Sequence, residues 1–215
     1  MTKTLVTLLA LLTYAVFYAL AFTNNVAKYY GADIIFSAVF ILFLHFTFSF
    51  WKLNVPVYTL LVFSFASHLM GVFGWYNVSP IFLQWDHVTH GFPLFAFTLF
   101  LFNFASQWMD NRIWTVKTWG VLLFVLLAAL GIGAVIENIE FSGYLALGYG
   151  EGALFLGGAG DGVPMTSAQM DVIDNLGGGY INTEIDLLWN ALGAIVGLVL
   201  MSLIRFRKPA LSGTA

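Results

Sequence analysis

Long apolar runs separated by short polar or aromatic intervals set the pattern of this chain, at residues 5–22, 34–51, 53–75, 88–108, 116–136 and 185–204. Each is near the roughly 20 residues that a helix needs to cross about 30 Å of hydrocarbon. The strands of a transmembrane barrel are about half that length and alternate in polarity, which these runs do not. Lipid offers backbone groups no partner outside their own segment, so the pattern predicts an all-α integral membrane protein. It is a bundle of about six transmembrane helices in a single domain over residues 1–215, without internal repeats.

Composition agrees: 60% of the residues are hydrophobic and 9% charged, against about 25% charged in soluble domains. Charge then sets orientation. With the helix ends numbered alternately, one side receives Lys3, Lys52, Arg112, Lys117, Arg205, Arg207 and Lys208, and the other only Lys28. The basic side is cytoplasmic by the positive-inside rule, which places both termini there. Trp51, Trp108, Trp114 and Trp119 fall at the predicted inner boundary, and Trp75, Tyr76 and Trp85 at the outer one. The first run, with Lys3 before it and Ala19-Leu20-Ala21 after, has the outline of a signal peptide; it is read as retained. Cysteine is absent, which excludes disulfides, thiol nucleophiles and thiolate-held metals. Membrane lipids are the expected surroundings, and no basic surface points to nucleic acid.

Most of the eleven acidic residues gather at the predicted outer side. Asp86 and His90 stand four apart at the start of the fourth run, with His87 beside them, so they share a helix face. Gly133, Glu137 and Glu140 form a stripe in the fifth run, and Asp186, Asn190, Gly193 and Gly197 another in the last, polar above and small below. His68 lies at the same level in the third run. Neighbouring carboxylates need a cation, a proton or a basic partner. His68, Asp86, His90, Glu137, Glu140 and Asp186 are therefore the predicted lining of one pocket. Carboxylates with one or two imidazoles suit a divalent metal ion such as Zn, Mn or Fe. In an enzymatic reading Glu137 or Glu140 is the general base, with His90 and Asp186 as ligands or orienters. The same groups also fit an interhelical hydrogen-bond network. Asp33 and Glu184 are assigned to interfacial solvation, and His45 to packing. A long extracytoplasmic connection at 141–183 holds eleven glycines with Glu151, Asp161, Asp171 and Asp174. It is read as a cap over the pocket, a re-entrant segment or a mobile loop, with Asp171 and Asp174 as supporting acids.

Three elements in order, Asp86-His87-Val88-Thr89-His90, Glu137-Asn138-Ile139-Glu140 and Asp186-Leu187-Leu188-Trp189-Asn190-Ala191-Leu192-Gly193-Ala194, resemble those of the VanZ-like membrane proteins and the related YjdF-type inner-membrane family. The resemblance covers the C-terminal 130 residues and points to Asp86, His90, Glu137, Asp186 and Asn190. It implies a helical envelope protein of the prokaryotic plasma (inner) membrane, linked in the VanZ case to low-level glycopeptide antibiotic resistance. A lipid-linked envelope substrate is the expectation that follows. Two other classes fit the residues: a transporter or cation-binding channel with these carboxylates at its outer mouth, and an accessory subunit packed through glycine faces. The predicted outer side lacks the arginines of a lipid phosphatase. No P-loop or G-x-S-x-G occurs.

Overall fold

The computed structural model describes residues 2–23, 30–76, 78–147 and 178–207. Asp171, Asp174, Glu151, Asp161, Lys28 and the predicted cap over the pocket lie outside the described residues.

Six helices and no strand occupy the described residues: α1 (Lys3–Ala21), α2 (Gly31–Phe46), α3 (Val55–Met70), α4 (Trp85–Ala105), α5 (Val116–Leu147) and α6 (Gly178–Phe206). Five helices are long and apolar enough to cross a membrane, and α2, with 16 residues, is shorter. This is a multi-pass helical membrane bundle.

Local chemistry explains where the helices begin. Thr2 and Asn54 lie just ahead of α1 and α3, and their side chains accept the backbone N–H of Leu5 and Val57. Thr115 does the same for Thr118 ahead of α5, at 3.1 Å. Each cap satisfies a donor that the first helical turn leaves without a partner.

Several boundaries differ from the sequence pattern, each for a local reason. The second run was expected to continue to residue 51, but α2 stops at Phe46. Turn bonds from Lys52 N–H to Ser49 and from Leu53 N–H to Phe48 follow, with Lys52 in the left-handed region at φ 54°. α5 does not stop at 136 but carries Glu137 and Glu140 inside the helix, and α6 begins at 178, seven residues before 185. The expected 141–183 connection is shorter at both ends. Carboxylates that look like the end of a span on a hydropathy argument are here interior positions of longer helices.

Close backbone approach, not side-chain interlocking, joins α4 to α6. A Cβ on Gly193 would fall onto the carbonyl of Gly91, and one on Gly197 would stand 2.9 Å from the carbonyl oxygen of Phe95. Small residues at these places let two helices touch where lipid supplies no hydrophobic drive. α1, α2, α3 and α4 share an apolar core around Tyr58, Ile41, Leu61 and Leu69, into which the rings of Phe40, Phe65 and Phe97 pack at 5.2–6.0 Å. A second cluster, Phe102, Ala105, Met109, Leu122 and Val125, lies where the lower ends of α4 and α5 meet. At that same end Thr7 bonds both Tyr58 and His45, at 2.7 and 2.8 Å. His45 thus has the packing role expected of it, with a hydrogen bond in addition.

Candidate functional site

Three helices converge on His90. It stands one turn after Asp86 on α4, and its Nδ1 lies 2.8 Å from Oε1 of Glu137 on α5. Its Nε2 lies 3.6 Å from Oδ1 of Asp86 and 3.7 Å from Oδ1 of Asp186 on α6. Glu137 and Asp186 are almost completely enclosed, with side chains 2% and 1% exposed, whereas Asp86 is about one-third open. The pocket is therefore accessible from the Asp86 side and closed behind.

Second partners hold each carboxylate. Asn190 donates through Nδ2 to Oε1 of Glu137 at 2.7 Å, and Asn182 donates to Oδ2 of Asp186 at 2.8 Å. The fit of α5 against α6 depends on Gly133, where a Cβ would come 3.2 Å from the side chain of Asn190. After these bonds Oδ1 of Asp186 is buried without a hydrogen-bond partner, as is Oδ1 of Asn190. A buried carboxylate oxygen without a donor costs on the order of 1–3 kcal/mol or more, so this oxygen marks an unmet need.

Two groups of side chains bring ligand atoms within 4.8 Å of one another: Asp86, His90 and Asp186, and His90, Glu137 and Glu140. They share His90 and use opposite edges of its ring. Of the residues the sequence singled out, Asp86, His90, Glu137, Glu140, Asp186 and Asn190 meet here. His87 instead stacks its ring on Trp189 at 4.8 Å, bracing α4 against α6. His68 faces the same cavity from α3 but pairs with Asp33, at 3.3 Å, and with the hydroxyl of Tyr76, at 2.8 Å.

Asp33 is where the structure departs from the sequence reading. It is 7% exposed, not solvated at the interface, because the start of α2 lies level with the end of α3 and His68 covers it. Glu184 is exposed, as expected. Tyr76 and Thr89 were also missed. Tyr76 reads as an interfacial aromatic until the turn before it is known. α3 runs on into a π-helical turn, Gly71–Trp75, with Gly74 at φ 131°, and this folds the Tyr76 ring back onto Gly71, where no Cβ would fit. The two glycines beside a tyrosine were the available signal.

A cavity of about 210 Å³ connects the parts. Asp33, His68 and Tyr76 line one part of it, and Asp86, His90, Glu140 and Asn190 another, with Phe36, Phe65, Leu94 and Phe97 as apolar wall. Glu137 and Asp186, both predicted as lining, are not part of it; they are enclosed where α5 and α6 pack behind His90.

Apolar helices enclosing a polar cluster of this kind define a multi-pass helical membrane protein with a buried acid–histidine site. The chain belongs to the family described as predicted membrane protein (DUF2238), which it matches over residues 4–207. No curated protein matches it, and no solved structure does. The family match spans all six helices.

Proposed function

We propose that this chain binds a divalent metal ion through Asp86, His90 and Asp186, and that the ion holds the polar end of a lipid-linked envelope substrate. The observation that carries the reading is the Nε2 edge of His90. Two carboxylate oxygens stand 3.6 and 3.7 Å from that nitrogen, beyond hydrogen-bond reach. Ligands of a tetrahedral ion with bonds of about 2.1 Å are about 3.4 Å apart. One of the two oxygens, Oδ1 of Asp186, has no N–H or hydroxyl donor in hydrogen-bond range. Glu137 takes the other ring nitrogen, as carboxylates do behind metal-bound histidines, and thereby fixes the proton on Nδ1 and the lone pair on Nε2.

Oxygen ligands with one imidazole suit Zn, Mn or Fe. Such an ion supplies Lewis acidity where the predicted outer side has no arginine. Within a hydrolytic reading Glu140, on the cavity wall, is the base and Glu137 the positioning residue. The order of the three motif elements supports kinship with the VanZ-like proteins, and with it a place in the prokaryotic plasma membrane with both termini cytoplasmic. A lipid-linked substrate is supported by the apolar wall that continues the polar site into the bundle.

Equilibrium dialysis of the purified protein against Zn, Mn and Fe(II) tests the reading. About one equivalent per chain is expected in the wild type. Asp186→Asn combined with Glu137→Gln should lose it while eluting as the same folded species, since helix packing rests on apolar and glycine faces. A wild type that takes up no ion, or a double variant that keeps full metal content, would leave only an interhelical polar network.

A further inference from the structure

Asp33 has the same unmet need as Asp186, on a different wall of the cavity. Its side chain is 9% exposed, Oδ2 faces Nε2 of His68 at 3.3 Å, and Oδ1 is buried with no hydrogen-bond partner. We infer that Asp33 is a subsite for the ammonium group of an amphiphile, a lipid with a primary amine in its head group, whose chain lies along the apolar wall. The inference deepens the reading of this cavity as a lipid-substrate site and rests on it, but needs no metal.

The surroundings of Asp33 are built to hold it in place. His68 is fixed from behind by Tyr76, whose hydroxyl also reaches Thr89 at 3.4 Å. Thr89 in turn donates to the backbone carbonyl of Asp86 at 2.8 Å. The π-helical turn that brings Tyr76 there is a feature frequent at functional sites.

Charge and shape select the ligand. Asp33, Asp86 and Glu140 line the cavity, and among its described lining residues there is no lysine or arginine. A cation is therefore favoured over an anion at Asp33. A primary ammonium offers three N–H donors to the Asp33 carboxylate, whereas a trimethylammonium offers none. Phe36, Phe65, Leu94 and Phe97 would be wasted on a small soluble amine. They match the first part of an acyl or prenyl chain entering from the leaflet at this end of the bundle.

Native mass spectrometry of the purified protein, offered equal amounts of phosphatidylethanolamine, phosphatidylcholine and phosphatidylglycerol, reads the inference directly. Phosphatidylethanolamine should be retained roughly tenfold over phosphatidylcholine, the effect of one buried charge-assisted hydrogen bond. It should also outlast phosphatidylglycerol and soluble phosphoethanolamine. Asp33→Asn should abolish the preference, and Asp110→Asn, in the exposed pair with Lys117 at the other end of the bundle, should leave it intact. The wild-type comparison needs no variant: equal retention of the ethanolamine and choline lipids overturns the subsite, as does an Asp33→Asn protein that still discriminates. Soluble phosphoethanolamine binding as well as the lipid would overturn the role of the apolar wall. If metal is never bound but the lipid preference persists, the metal centre fails and the ammonium subsite stands; the converse result separates them the other way.

Discussion

At the scale of single residues, the site is a set of carboxylates each held by one amide or ring, and the roles divide by which oxygen is left. Glu137 spends Oε1 on both His90 and Asn190, so its work is to orient the ring. Glu137→Gln keeps shape but turns an acceptor of charge-assisted bonds into a neutral amide. Metal affinity should fall by about 10- to 100-fold, the usual cost of losing such a second partner, in a dialysis titration. An unchanged affinity would remove Glu137 from the site. Asn190→Ala should lower thermal stability by about 1–3 kcal/mol by leaving Glu137 short of a donor; an unfolding curve equal to wild type would contradict this.

Residue spacing made much of this legible. Asp86 and His90 share a face because they are four apart, and the glycine-footed stripes of α5 and α6 point to helices that touch. The pairing of His90 with Glu137 rather than Glu140 was not legible, because helical period gives a face and not a depth relative to another helix. Asp33 was hidden for the same reason. Its partner His68 is 35 positions away, and only the antiparallel run of α2 and α3 puts them level.

At the scale of elements, the crossing of α4 and α6 sets the geometry of the site. Gly193 lies two turns below Asp186, and its contact with the backbone of Gly91 fixes how near Asp186 comes to His90. Gly193→Ala should force the two helices apart, at about 1–3 kcal/mol for a buried overpacked methyl. Gly120→Ala on α5 is the control, since a Cβ there meets nothing within 4 Å; it should be neutral or stabilising by up to about 1 kcal/mol. Thermal unfolding of the two variants in one detergent compares them, and equal melting points would refute the close-packed crossing. The runs of hydropathy gave helix existence and order correctly, but not the ends of α2, α5 and α6. Hydropathy marks where lipid contact stops, whereas α2 is ended by turn bonds after Phe46, and α5 and α6 run on past their apolar stretches to carry Glu137, Glu140 and Asn182 inside the helices.

At the scale of the molecule, the bundle is asymmetric. The acid–histidine site lies at one end, and the other carries Lys3 bonded to the carbonyl of His45, the Lys117–Asp110 pair and Arg205 reaching the carbonyl of Met109. That asymmetry is the whole basis for placing both termini in the cytoplasm. A reporter fused after Ala215 should be active only as a cytoplasmic marker, and a periplasmically active fusion would invert the placement. Each buried carboxylate costs at least about 2.5 kcal/mol on insertion scales, and several share one end. A bundle carrying that cost must meet it with a cation, a proton or internal donors, and Asp33 and Asp186 each keep one oxygen without a donor.

X-ray absorption at the Zn, Mn and Fe edges, on protein purified without chelator, measures the central claim most directly. The account predicts an edge for one of these metals with a single imidazole and carboxylate oxygens at about 2.0–2.2 Å, and loss of the imidazole signature in His90→Asn. A wild-type protein with no edge, or with a metal surrounded by oxygen alone, would contradict it.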